Sequence, residues 1–131
     1  FQLNGDRDAT FNSGEFLRLP PSTFTLQRPP RAVMPTLAGG ILVAGPTLRS
    51  GFADQFAVVR LLSDGTAVDS SFGNAGVSVV TDGINPARFG GLALQTDRPV
   101  LGGHVELGAG ATSDFVLVRL VGDPQFSDGF E

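Results

Sequence analysis

The chain of 131 residues contains no cysteine, no tryptophan, no tyrosine and no lysine. Each absence removes a class of chemistry. Without cysteine there is no thiolate nucleophile, no thiolate zinc site and no disulfide, although this leaves the redox compartment open. Without lysine, neither a Schiff base nor a phosphate-loop ammonium is available; all nine basic residues are arginine. His104 is the only histidine, so no histidine-based metal cluster forms within one chain. No Gly-x-Ser-x-Gly elbow accompanies it, and its expected place is a strand end at a loop mouth. The eleven aromatic residues are all phenylalanine. Sugar platforms and protein hot spots favour Trp and Tyr, whose rings carry a polar handle. A phenylalanine-only inventory points to a core and weakens a lectin-like reading. No apolar run approaches the roughly 18 residues of a membrane helix. Charged residues make up only 17%, with a net charge of −4 and a pI near 4.8. Nucleic-acid binding rests on a basic patch, so no nucleic-acid partner is expected.

What is present is glycine (18) and proline (9), with no helical periodicity. That combination predicts an all-β chain. The strongest strands are "DQFAVVRLL", Asp54 to Leu62, and "DFVLVRLV", Asp114 to Val121. Alternation along the first sets Phe56, Val58 and Arg60 on one face and Ala57, Val59 and Leu61 on the other. The second sets Phe115, Leu117 and Arg119 against Val116, Val118 and Leu120. Both faces of both strands are largely apolar, so each strand is expected to be covered on both sides. Ahead of each strand lies a hairpin pattern. "RAVMPT" (Arg31 to Thr36) and "GGILVAG" (Gly39 to Gly45) precede the first; "GLALQT" (Gly91 to Thr96) and "RPVLGG" (Arg98 to Gly103) precede the second. The two copies are about 60 residues apart, with about four short strands per unit, the mark of a repeat fold. The expected organisation is one all-β domain, 1–131, with units near 1–62 and 63–121 and a tail, 122–131. "EFLRL" in the N-terminal segment would suit an edge strand. With Phe1 rather than methionine first, the sequence reads as a processed chain or an excised piece.

These residues resemble the delta-60 repeat of bacterial surface and secreted proteins. Leu92, Ala93, Leu94, Gln95 and Asp97 match the first part of that motif, and Leu42, Val43, Ala44 and Gly45 the next. Phe56 and Arg60 follow, then Asp64, Gly65, Asp69, Phe72, Gly73 and Gly76. The match departs at "TDRP", where an Asp-Gly turn is usual, and at "VLGG". The resemblance implies four-stranded antiparallel blades of a β-propeller, about two in this chain, and no catalytic residues. A β-sandwich of the two sheets is the alternative, since closed propellers typically need about 4–8 blades.

The stretch "DGTAVDSSFGNAG", Asp64 to Gly76, has the composition of a ligand loop. Asp64 and Asp69 are weak candidates for calcium, which takes about 6–8 oxygen ligands. The loop lacks the alternating acidic spacing of an EF-hand and has no terminal Glu. Its Asp-x-x-Phe element has echoes at Asp8 and Phe11 and at Asp123 and Phe126. An element that recurs where a fold needs it reads as punctuation. On that reading Asp64-Gly65 makes a turn, Asp69 bonds amides two or three residues on, Phe72 plugs the core, and Gly73 permits an unusual dihedral. Ser70 and Ser71 are then expected to be replaceable. Arg60 and Arg119 are expected to pair with aspartates of neighbouring turns, such as Asp69 or Asp54 for Arg60. The glycine-rich Leu107–Asp114 is no phosphate loop, because no lysine follows and a strand stands where a helix is required.

The expected function is therefore a non-enzymatic scaffold or binding module, extracellular or at a cell surface. It would contact a protein or surface ligand through the loops Thr47–Asp54 and His104–Ser113. Alternatives are a calcium-dependent module or hydrolase using the aspartate turns, and a structural piece of a larger propeller. No cofactor is expected. Further repeats or copies of the chain are expected partners, since residues 1–62 carry six arginines against four acids and residues 63–131 three against nine, and opposite fields attract.

Overall fold

The computed structural model describes residues 4–19, 29–47, 55–80, 85–108 and 112–121. The described chain is all-β, with no α-helix. Among the described residues, seven strands form two antiparallel sheets. The first sheet contains β1 (Ala32–Pro35), β2 (Ile41–Thr47), β3 (Gln55–Leu61) and β4 (Val77–Val80), in that order. The second contains β5 (Ala87–Gln95), β6 (Arg98–Leu107) and β7 (Thr112–Arg119). Because β4 pairs with β3, the first sheet runs on to Val80, past the sequence-unit boundary at Leu62.

Both expected hairpins form. Thr36 and Gly40 close the first, with the Thr36 amide donating to the Gly40 carbonyl at 2.8 Å. The second turns on Thr96 and Asp97, at φ 49° and 61°. Two consecutive positive φ angles characterise a two-residue type I′ turn, whose twist matches the flanking strands. Aspartate tolerates this region and threonine does so at a cost, so "TDRP" works as a hairpin without glycine. The carboxylate of Asp97 also accepts the Leu37 amide at 2.8 Å, tying the tips of the two hairpins together.

The register repeats between the sheets. Leu42 pairs with Arg60, Ala44 with Val58 and Pro46 with Phe56. In the second sheet Val100 pairs with Arg119, Gly102 with Leu117 and His104 with Phe115. The adjoining strands keep step as well: Ala32–Ala44 and Met34–Leu42 match Gly91–Gly102 and Ala93–Val100. A bulge between Phe89 and Gly91 precedes the shared register.

One core joins the two sheets. Leu42, Ala44, Phe56, Val58 and Val80 from the first meet Ala87, Leu101 and Val105 from the second. The Phe56 and Phe89 rings meet edge to face, 6.1 Å apart. Val43, Ala57, Val59 and Leu61, on the reverse of the first sheet, pack with Leu17 and Leu19. Every residue of β3 is buried, as the two-sided apolar pattern predicts. Its counterpart β7 departs from that expectation. Val116, Val118 and Leu120 pack on the core, but Phe115 is 75% and Leu117 60% exposed. Among the described residues, the second sheet has a layer on one side only.

Candidate functional site

The structural details centre on the turn that joins β3 to β4. The Leu62 amide bonds the Ala67 carbonyl and the Gly65 amide bonds Leu62, reversing the chain at Asp64-Gly65. Gly65 takes φ 69°, and the Phe11 ring lies where a β-carbon would stand, so only glycine fits. The Asp64 carboxylate accepts the amide and hydroxyl of Thr66, at 3.0 and 2.8 Å.

The second aspartate repeats the device and adds an arginine. Asp69 Oδ1 accepts the Ser71 amide at 3.0 Å and the Ser71 hydroxyl at 2.6 Å. Its Oδ2 lies 2.9 Å from both Nε and Nη2 of Arg60. Arg60 Nη2 also donates to Ser71 Oγ at 2.9 Å, and the guanidinium lies 5.2 Å from the centre of the Phe72 ring. The backbone follows the same path: the Asp69 amide donates to the Arg60 carbonyl and the Arg60 amide to the Gly76 carbonyl. Phe72 is buried in the inter-sheet core. Gly73 sits at φ 56° with the Val77 carbonyl crowding the place a β-carbon would take. Ser71 thus closes the network, unlike its neighbour Ser70, a distinction the sequence pattern does not make.

The N-terminal turn is built alike. Asp8 Oδ1 accepts the Thr10 amide and hydroxyl at 2.9 and 2.6 Å. The Phe11 amide donates to the Asp8 carbonyl at 3.1 Å, as Phe72 does to Asp69. Glu15–Leu19, placed as β4 is after its turn, pairs with no strand among the described residues, so the expected edge strand does not form there. Asp123 and Phe126, the third echo, lie outside the described residues, as do Asp54 and residues 48–53 of the first candidate loop.

Other candidates move. His104 lies inside β6, between Arg88 and Phe115, rather than at a strand end. The expected loop His104–Ser113 is mostly strand, because β6 runs to Leu107 and β7 begins at Thr112. Arg119 donates to Gln95 Oε1 at 3.0 Å, with no aspartate beside it among the described residues. Arg88 and Glu106 form a half-exposed pair at 2.9 Å on the same outer face as His104. Among the described residues, no three of His, Asp and Glu are grouped to hold a metal. No described helix is long and apolar enough to cross a membrane.

The carboxylates share one electrostatic signature. Asp69 is held below the ordinary value near 3.8, first by the Ser71 hydroxyl, against the opposing effect of burial, and then by the Ser71 amide and Arg60. Thr10 lowers Asp8 in the same way, and Thr66 lowers Asp64. Glu106 is lowered chiefly by its hydrogen bond from Arg88. A carboxylate lowered in the folded state stabilises the fold fully above its unfolded value, and this is lost as pH falls through the folded one. The melting temperature is therefore expected to hold steady from about pH 7 to about pH 5 and to fall below about pH 4. A thermal melt across that range checks it.

A scan against protein-family models and searches of curated proteins and of solved structures found no match.

Proposed function

We propose that this chain is a non-enzymatic β-repeat scaffold whose two sheets are successive blades of a propeller-like array, akin to delta-60 repeats. The observation that carries this reading is the common register of β1–β3 and β5–β7. Leu42 and Val100 stand 58 residues apart, and Arg60 and Arg119 59. A unit that repeats in both sequence and pairing needs a neighbouring layer on each face to bury its apolar residues. The aspartates support the same reading from the side of chemistry. Asp69 commits Oδ1 to Ser71 and Oδ2 to Arg60, and Asp64 commits Oδ1 to Thr66; at Asp69 the guanidinium beside the carboxylate competes with a cation. The function is to present surfaces and loops to a protein or surface ligand, outside the cell or on its surface.

A melting series in calcium and in EDTA tests this reading against a calcium-dependent module. A specific ligand at 100 times its dissociation constant adds about 2.7 kcal/mol. The scaffold reading predicts melting temperatures in the two conditions that agree within about 1 °C, far less than such a ligand would give. A rise of several degrees in calcium alone would overturn it.

A further inference from the structure

Among the described residues, the first sheet has four strands and the second three. β3 is paired on both edges, by β2 and β4. Its counterpart β7 is paired only by β6 among the described residues. The surface that Phe56 and Val58 bury against the second sheet is, one unit on, the open surface of Phe115 and Leu117. The opposite sign of this vacancy lies at the other end of the molecule. Leu92 packs against the shared core, whereas its counterpart Val33, on the reverse of the first sheet, is 69% exposed. Among the described residues, one outer face therefore lacks the layer that the other outer face is shaped to supply.

The N-terminal segment identifies what fits. Asp8–Phe11 has the hydrogen bonds of Asp69–Phe72, and at Asp69–Phe72 the turn leads into the strand that pairs with β3. Stepping 61 residues, as from Phe11 to Phe72, matches Leu17 to Ser78 and Leu19 to Val80. Ser78 and Val80 stand opposite Val58 and Phe56. Leu17 and Leu19 already lie on the reverse of the first sheet, the place that a preceding unit's fourth strand would take. Within one molecule this segment is across the first sheet from β7, so it cannot close its own second sheet. The charges agree. Asp69 has Arg60 on its Oδ2, whereas Asp8 is bonded through Oδ1 to Thr10 and has no described arginine there. Arg119 has the register of Arg60 but, among the described residues, donates to the side-chain carbonyl of Gln95 and meets no carboxylate.

We propose that β7 and the outer face of the second sheet bind a second copy of this chain, whose Glu15–Leu19 pairs antiparallel with β7 as the missing fourth strand. In that contact Leu17 stands opposite Leu117, Leu19 opposite Phe115, and Asp8 of the second copy meets Arg119. The contact is head to tail, so each copy keeps one free end for the next, and the assembly closes as a ring or extends. It rests on the unit equivalence behind the proposed function but not on ligand binding by loops.

Sedimentation velocity of the full chain over roughly 1–100 μM tests it. The wild type is expected to self-associate. Arg119→Asp and Asp8→Arg should each weaken association by about tenfold or more, while the double charge swap recovers most of it. Leu117→Asp, at an exposed position, should abolish association with an unchanged circular dichroism spectrum and melt at low concentration. A chain that is monomeric throughout, or association indifferent to these changes, overturns the proposal. A double swap no better than the single variants overturns the Asp8–Arg119 contact. A monomer whose melting is calcium-independent leaves the scaffold reading standing, so the two can fail separately.

Discussion

Phe72→Ala is expected to destabilise the fold by about 3–5 kcal/mol and to lower the melting temperature by about 10–20 °C. Phe72 is only 7% exposed and stands among Leu42, Phe56 and Val80 where the first sheet meets the second. Its removal opens a cavity at a point fixed by backbone on both sides. The Phe72 amide is bonded to Asp69, and its carbonyl holds the Gly76 amide at 2.7 Å. Gly76 lies against Val68 and the Asp69 backbone, so the turn has little room to collapse into the space. The truncation also strips the ring from beneath the Arg60 guanidinium, a contact worth about 0.5–2 kcal/mol. A thermal or urea melt of the variant measures the sum. An unchanged midpoint would mean that the turn is not the plug of the unit.

Much of the fold was legible because β-strand burial writes itself at period two. The faces of β3 follow the expected alternation residue by residue: Phe56 and Val58 enter the inter-sheet core and Ala57, Val59 and Leu61 the reverse one. The same alternation in β7 gives the correct faces but not their environment. Whether Phe115 is covered depends on the layer beyond it, and a strand carries no record of whether that layer belongs to its own chain. The extent of β6 was hidden for a different reason. "HVEL" after "VLGG" looks polar and loop-like, yet an outer sheet face with no layer over it among the described residues takes His104 and Glu106 without cost, while Val105 alone faces the core.

Repetition of Asp-x-x-Phe pointed to Asp8 and Asp69, whose carboxylates accept the amide and hydroxyl two residues on, and Asp123 lies outside the described residues; Asp64 makes the same bonds without belonging to that repeat. What repetition does not reveal is who completes each turn. Ser70 and Ser71 are alike in sequence, but only Ser71 lies at the two-residue step that lets one hydroxyl serve both Asp69 and Arg60. The separation of Arg60 from Asp69 is nine residues, bridged by a small hairpin in which Leu61 faces Val68. That pairing follows from the hairpin and not from any local spacing rule.

The turn aspartates serve the fold, Asp69 through its pair with Arg60, and a double-mutant cycle on Arg60 and Asp69 tests this most directly. Asp69→Ala removes the Asp69 carboxylate from the Arg60 guanidinium, whose side chain is 6% exposed; Asp69 itself keeps 22% of its surface. Loss of one partner of a buried pair costs about 3–5 kcal/mol, and with this residual exposure we expect about 2–4. Ser71→Ala, which removes one bond to each partner, should cost about 1–2 kcal/mol. Arg60→Met/Asp69→Leu, which removes both charges and keeps apolar bulk, should recover much of the loss. The account predicts a coupling of about 1.5 kcal/mol or more between the two positions in urea unfolding at neutral pH. Additivity within about 0.5 kcal/mol, with Asp69→Ala as stable as the wild type, would contradict it.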